Sequence, residues 1–256
     1  MFCVGIDVGS TSGEAVILDG ERVLGYSIVD TGYSSRRAAD LALERALGAA
    51  GLSSDEIGPI VATGYGRVAV DYAIKQITEI SCYARGIHKL YPQARTVIDV
   101  GGQDSKVISV SARGKPMDFV MNDKCAAGTG RFLEVMARRL ELPLEELGPL
   151  ALQSQQPVTI SSMCTVFAES EVVGLVAQQV SRQDIVAGLC HSVARRVATL
   201  VKRLGLLPPV AFAGGVAKNA GVVQALQEEL GEKLLIPEEP QIVGALGAAL
   251  IARDGE

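Results

Sequence analysis

The chain has 256 residues, 48% hydrophobic and only 4% aromatic, with no tryptophan and a formal charge of −5. That length buries a substantial core without disulfide support, as one large domain or two small lobes. The acidic balance, with no Lys/Arg cluster interleaved with rings, argues against nucleic-acid binding, and apolar runs such as "GALGAALIA" fall far short of the ~18 residues that span a bilayer. The start "MFCVGIDV" has no basic stretch ahead of an apolar run, so a soluble, cytoplasmic protein is expected.

Alternating apolar residues in "MFCVGIDVG", "GEAVILDG" and "RVLGYSIVDTG", broken at Gly and Asp, predict three short strands in a meander. A helix follows, capped by Ser34 or Ser35, with Leu41, Leu43 and Leu47 as its apolar face and Gly48 and Gly51 at its end. "IGPIVATGYGR" reads as a strand running into a glycine loop. A second series then opens: "RTVIDVGGQ", "SKVISVSARG" and "KPMDFVMND" again suggest three strands, followed by helical segments. Ser181 and Asp184 have capping-box spacing ahead of Ile185, Leu189, Val193, Val197, Leu200 and Leu204, with Gly205 as the stop. After this helix come "PPVAFAGGVAKNAG", a strand with a glycine turn and a helix start, and a small-residue helix, "VGALGAALIAR".

The tetrapeptide "IDVG" opens both series, as Ile6 to Gly9 and as Ile98 to Gly101. The period is too long for a solenoid and predicts two homologous lobes joined by crossing helices, 1–90 with 244–256 as lobe I and 91–243 as lobe II. Each copy sets a carboxylate at a strand end beside backbone that a ligand can approach closely. Ser10, Thr11 and Ser12 follow the first copy; Gly102, Gln103 and Asp104 follow the second. Two such hairpins face to face clamp a phosphate chain with N–H groups from Gly9 and Gly101, while Asp7 and Asp99 hold Mg2+ through waters. A third glycine turn at Gly214 and Gly215 adds to the case. There is no G-x-x-x-x-G-K-S/T segment, and "GYGRVAV" lacks the third glycine of a dinucleotide fingerprint.

The set "GIDVGSTS", "VIDVGGQDSK" and "FAGGVAKNAG" resembles the two phosphate loops and the adenosine loop of the actin, Hsp70 and sugar-kinase superfamily. The resemblance implies an α/β fold of two ribonuclease-H-like lobes with ATP in the cleft, and Lys218 and Asn219 join Gly214 and Gly215 at the nucleotide. It also implies an acidic residue facing the attacking water from the helix before the second loop. Glu79 in "TEISCYARGIHKL" has that place, the plainer reading being a helix N-terminal Glu that suits the dipole.

The five cysteines, Cys3, Cys82, Cys125, Cys164 and Cys190, are odd in number and widely spaced, which argues against a disulfide framework. Cys125 in "NDKCAAGTGRFLEVMARRL" stands just ahead of a helix with apolar face Phe132, Val135, Met136 and Leu140. Cys164 in "SSMCTVFAESEVVGLVAQQV" stands at another helix start. A helix N-terminus favours a thiolate and an anionic metal group. Neither C-x-x-C zinc spacing nor a Cys/His protease pair is present, and two buried structural thiols are the plain alternative. An iron-sulfur cluster usually takes four thiolates, of which two per chain supply half and a homodimer would supply all. Cys3, Cys82 and Cys190 read as structural.

"NDKCAAGTGRFLE", "SSMCTVFAESEV", "ATGYGR" and "VGGQDSK" are very similar to the activator ATPases of 2-hydroxyacyl-CoA dehydratases and the ATPase subunits of benzoyl-CoA reductases, over essentially the whole chain. This resemblance implies a homodimer with one 4Fe-4S cluster at its interface, ligated by Cys125 and Cys164 of each chain. It implies an ATP-driven one-electron donor, reduced by ferredoxin or flavodoxin, that passes its electron to a 2-hydroxyacyl-CoA dehydratase, a benzoyl-CoA-type reductase or another double-cubane reductase. A small-molecule kinase of the same superfamily is the second expectation, and an actin-like filament protein the third.

Overall fold

The computed structural model describes residues 1–161 and 164–255. Its first sheet is built from β1 (Phe2–Val8), β2 (Ser12–Asp19), β3 (Arg22–Asp30), β4 (Ile57–Thr63) and β5 (Lys75–Gln76), in the order β3-β2-β1-β4-β5. Its second is built from β6 (Thr96–Val100), β7 (Ser105–Val110), β8 (Pro116–Asn122), β9 (Val210–Ala213) and β10 (Leu234–Leu235), in the order β10-β9-β6-β7-β8. The two sheets repeat strand for strand. In each, the first three strands form an antiparallel meander and the fourth and fifth add in parallel on the far side of the first.

Register carries the repeat down to single residues. Asp7 lies opposite Glu14 and beside Thr63; Asp99 lies opposite Lys106 and beside Ala213. The residue after each parallel partner is a glycine in the left-handed region, Gly64 at φ +88° and Gly214 at φ +84°, a conformation that costs glycine nothing.

The helices are α1 (Ser35–Ala50), α2 (Glu79–Leu90), α3 (Gly130–Arg139), α4 (Leu147–Ala151), α5 (Thr165–Ala177), α6 (Arg182–Leu204), α7 (Ala220–Leu230) and α8 (Val243–Asp254). Ser34 caps α1 through its hydroxyl, which accepts from the Arg37 N–H, and Gly51 closes the helix in the left-handed region. The buried stripe of α1 is Ala38, Ala39, Ala42 and Ala46, while Leu41, Leu43 and Leu47 only flank it. The reason is proximity: a Cβ on Gly25 would lie 2.8 Å from Ala50 N and 2.9 Å from Ala46 O, so the helix rides too close to β3 for larger side chains on that stripe. On α3 the buried face is Phe132, Leu133, Met136 and Ala137, closed by Leu140, with Val135 only half-buried.

One face of the first sheet, through Val4, Ile6, Val8, Ala15 and Ile17, packs on α1. Its other face, through Val16 and Leu18, packs on Ala245, Leu246, Ala249 and Leu250 of α8. The second sheet turns Val97, Ile108, Ala211 and Ala213 toward Tyr83, Ala84 and Ile87 of α2, and Ile98, Val100, Val107 and Phe212 toward the large core of α3, α6 and α7. Helices α2 and α8 therefore lie between the sheets. They touch backbone to backbone, since a Cβ on Gly86 or Gly247 would strike Val243 O or Cys82 O. Every residue of α8 from Val243 to Ala252 is buried, which explains its small residues. Among the described residues, no helix is long and apolar enough to cross a membrane.

Candidate functional site

Both tetrapeptide turns close in the same way. Gly9 N donates to Ser12 O at 2.9 Å and Gly101 N donates to Asp104 O at 3.0 Å. The turns meet: a Cβ on Gly102 would occupy the space of the Thr11 hydroxyl, so Gly102 must lack one. They form one end of a cavity of about 370 Å³ between the sheets.

That cavity is lined by Asp7, Gly9, Ser10, Thr11, Ser12, Glu79, Asp99, Gly101, Gly102, Asp104, Gly214, Gly215, Lys218 and Asn219. Gln103 is exposed and is not part of the wall. Asn219 has a structural task as well, because its Oδ1 accepts from Val222 N and caps α7, as does Ser181 Oγ for α6 through Asp184 N. Lys218 pairs with Glu239 at 2.8 Å. Leu133, Leu144 and Val216 supply an apolar section of wall.

Sequence reasoning named the three acids at the charged centre of this cavity, Glu79, Asp99 and Asp104, and missed the cation among them. Lys106, 4% exposed, holds Glu79 Oε2 at 2.5 Å, Asp104 Oδ2 at 2.6 Å and Asp99 Oδ2 at 3.1 Å from its Nζ. Aligning the two "IDVG" copies exposes the signal, since the strand position that is Glu14 in the first series is Lys106 in the second. Gln241 Nε2 ties Ser12 Oγ at 2.8 Å to Glu14 Oε1 at 3.1 Å.

The electrostatics follow from burial. Loss of water pushes Asp99 up to about 6 although Lys106 opposes it, and pushes Glu14 up to about 7. Asp7 rises well above the usual carboxylate range, again through burial first and then the charges of Glu14 and Glu79. Burial pulls the Lys106 ammonium down, but Asp99, Glu79 and Asp104 together drive it far above its ordinary value. Lys106 is thus a fixed internal cation.

Glu79, Asp99 and Asp104 offer carboxylate oxygens within 4.8 Å of one another, the one group of described residues so arranged to share a metal ion. Asp99 Oδ1 is buried and accepts no hydrogen bond, an open acceptor inside the group. The residues fit a hard divalent cation with oxygen ligands. Asp7, expected to share such an ion with Asp99, lies outside this trio.

Neither Cys125 nor Cys164 lines the cavity. Cys164 is the N-cap of α5 and is exposed. Cys125 is not at a helix tip; α3 begins only at Gly130, behind the N-cap Thr129, and Cys125 stands in the preceding loop, half-buried. Cys3, Cys82 and Cys190 are buried, and loss of water pushes the Cys82 and Cys190 thiols up to about 12. The loop is joined to the cavity: Gly130 N donates to Gly101 O at 2.9 Å and Arg131 N to Gly102 O at 2.8 Å.

Two equivalent hairpins meeting at one charged cavity, with the loop of Cys125 bonded to the second of them, agree with the family model that matches residues 4–252. The chain belongs to the BadF/BadG/BcrA/BcrD ATPase family. It is 51% identical to the activator of lactoyl-CoA dehydratase of Anaerotignum propionicum, over 98% of this chain and 97% of that one. It is 47% identical to the 2-hydroxyisocaproyl-CoA dehydratase activator of Clostridioides difficile, over 99% and 96%. The solved activator of the 2-hydroxyisocaproyl-CoA dehydratase from Clostridium difficile, with bound ADPNP, superposes with a TM-score of 0.96 at 46% identity, covering 100% of this chain and 95% of that one. A ROK family glucokinase from Streptomyces griseus, at 17% identity and a TM-score of 0.63, shares the fold alone, over 100% of both chains. The fold is that of the actin, Hsp70 and sugar-kinase ATPases.

Proposed function

We propose that this family member is an ATP-dependent one-electron donor that activates a partner 2-hydroxyacyl-CoA dehydratase or a related benzoyl-CoA-type or double-cubane reductase. The observation that carries the reading is the contrast among the cysteines: three are buried in cores, while Cys164 is exposed and Cys125 half-buried on the lobe whose second turn lines the cavity. The donor set fits an iron-sulfur group. Thiolates are its ligands, and among the described residues no acidic or imidazole cluster gathers around either sulfur. Two cysteines from each of two copies complete a 4Fe-4S site, so the active species is a homodimer. Bound there, the cluster would supply one-electron storage at low potential, filled by ferredoxin or flavodoxin.

In the cavity, ATP lays its phosphates between the turns at Gly9–Ser12 and Gly101–Asp104 and its nucleoside against Gly214, Gly215, Lys218 and Asn219. Asp7 and Asp99, with Glu79 and Asp104, orient Mg2+ and its waters. Glu79 is the group closest to the role of orienting the attacking water, held in place by Lys106. Lobe I comprises 1–90 and 244–256, lobe II 91–243, and the protein works in the cytoplasm. The names of the relatives, which are dehydratase activators, favour this reading over a kinase.

The test is iron and acid-labile sulfide per dimer on anaerobically purified protein, beside Cys125→Ala and Cys164→Ala. About four of each in the native dimer, lost in both variants, is expected. A chain that hydrolyses ATP yet takes up no iron on anaerobic reconstitution would sink the proposal.

A further inference from the structure

The loop that carries Cys125 is clamped along its length. Asn122 Nδ2 donates to Cys125 O at 2.8 Å and to Ala127 O at 3.4 Å, and Ser105 Oγ donates to Gly128 O at 2.6 Å. Gly128, at φ +84°, lies against α6, where a Cβ would come within 2.8 Å of Arg196 Cβ. Arg196 extends from that contact, and its Nη2 donates to Cys125 Sγ at 3.7 Å. A separate cavity of about 220 Å³ opens beside Arg196, with Arg203 also in its wall and no acidic side chain among its lining residues. The Arg196 guanidinium is thus the positive group set against the Cys125 sulfur from α6.

The far end of the loop is anchored differently. Five positions after Cys125, the first N–H groups of α3 donate to the carbonyls of Gly101 and Gly102, in the turn that faces its counterpart at Thr11. One end of the segment answers to the cavity and the other rests on a long helix buried along much of its length.

We infer that Arg196 is a positioning residue for Cys125 that sets the reduction potential of the group bound there. The inference rests on the cluster reading above. An N–H donor and a positive charge at a ligating sulfur favour the more negative, reduced state and so raise its potential; withdrawing them lowers it. Arg196 would therefore ease entry of one electron from the reduced carrier protein, which is oxidised, and it alters the free energy of that transfer and not its electron count.

The experiment is an anaerobic redox titration of iron-loaded native, Arg196→Gln and Arg196→Lys dimers, followed by absorption and electron paramagnetic resonance. Arg196→Gln is expected to titrate at a lower potential than the native dimer. Arg196→Lys, which keeps a cationic N–H donor, should fall between them. Four irons in Arg196→Gln with native potential overturn the inference while leaving the cluster reading intact. Loss of iron from both variants, with the native dimer loaded, also overturns it by showing a purely structural residue. A native dimer that takes no iron overturns the cluster reading and this inference with it.

Discussion

Replacing Lys106 with methionine tests the reasoning about the cavity most directly. The side chain is nearly isosteric, yet the change removes the one cation that pairs with Glu79, Asp99 and Asp104 among the described residues. All three carboxylates are largely buried, with side chains 13%, 1% and 8% exposed, so water does not replace the lost partner. Removing one member of a buried ion group costs about 3–5 kcal/mol, which for a chain of this size lowers the melting temperature by roughly 6–20 °C. The sign of the pH dependence is fixed by Asp99, already raised to about 6 by burial against the pull of Lys106. A carboxyl raised in the folded state contributes stability below its unfolded pKa and loses it as pH rises through the folded value. Without Lys106 the folded value climbs further, so the deficit of the variant is widest near about pH 8 and narrows toward about pH 5. Mg2+ should restore part of it, because the trio can close on a divalent ion and Asp99 Oδ1 is an open acceptor. Thermal unfolding of nucleotide-free protein across this pH range, with and without MgCl2, measures all three effects. A variant that melts with the native chain at alkaline pH would refute the account.

Glu14→Gln should stabilise the nucleotide-free chain, because Glu14 is raised from 4.5 to about 7 by burial; the gain is on the order of 3 kcal/mol above neutral pH and vanishes in acid, as urea unfolding at several pH values would report. Gln241 can still donate to the new amide oxygen, so a loss of stability would contradict this. Gly247→Ala drives a Cβ into Cys82 O at the α2–α8 crossing; overpacking of this kind costs roughly 1–3 kcal/mol, and an unchanged denaturation midpoint would show that the helices are free to part. Cys190→Ala, by contrast, should leave iron content untouched, since this thiol is buried near Asn219, 3.8 Å from its Oδ1; metal analysis decides.

Much of the fold was legible because strands and turns are local. The alternation of β1 to β3 and β6 to β8, the glycine turns and the caps at Ser34, Ser181 and Gly51 all follow from spacing within a few residues. The two-residue strands β5 and β10 are too short to carry a period, and their existence depends on distant neighbours. The alanine stripe of α1 could not be read from side-chain size, because it is selected by the backbone of β3 at Gly25. Lys106 was hidden for a similar reason. A lysine inside "SKVISV" reads as the polar face of a half-buried strand, and only the hairpin register, which sets it opposite Asp99, turns it inward.

The repeat itself then shows where function was added. Each lobe ties the connection after its third strand to its own turn: Thr31 N donates to Thr11 O at 2.9 Å in the first, Gly130 and Arg131 donate to Gly101 and Gly102 in the second. In the first lobe that connection runs directly from Asp30 into α1 at Ser35 and carries no sulfur. In the second it is longer, running from Asn122 to Gly130, and holds Cys125. The charge at the cross-strand position is reversed as well, Glu14 against Lys106. Two lobes with the same ladder thus differ in the internal charge and in the thiol: Lys106 pairs with Asp104 of the turn, and Cys125 stands five residues before Gly130, which donates to that turn. Gly101 and Gly102 line the cavity and also accept from the first N–H groups of α3, so on the proposed reading the link between the cavity and the loop of Cys125 is short.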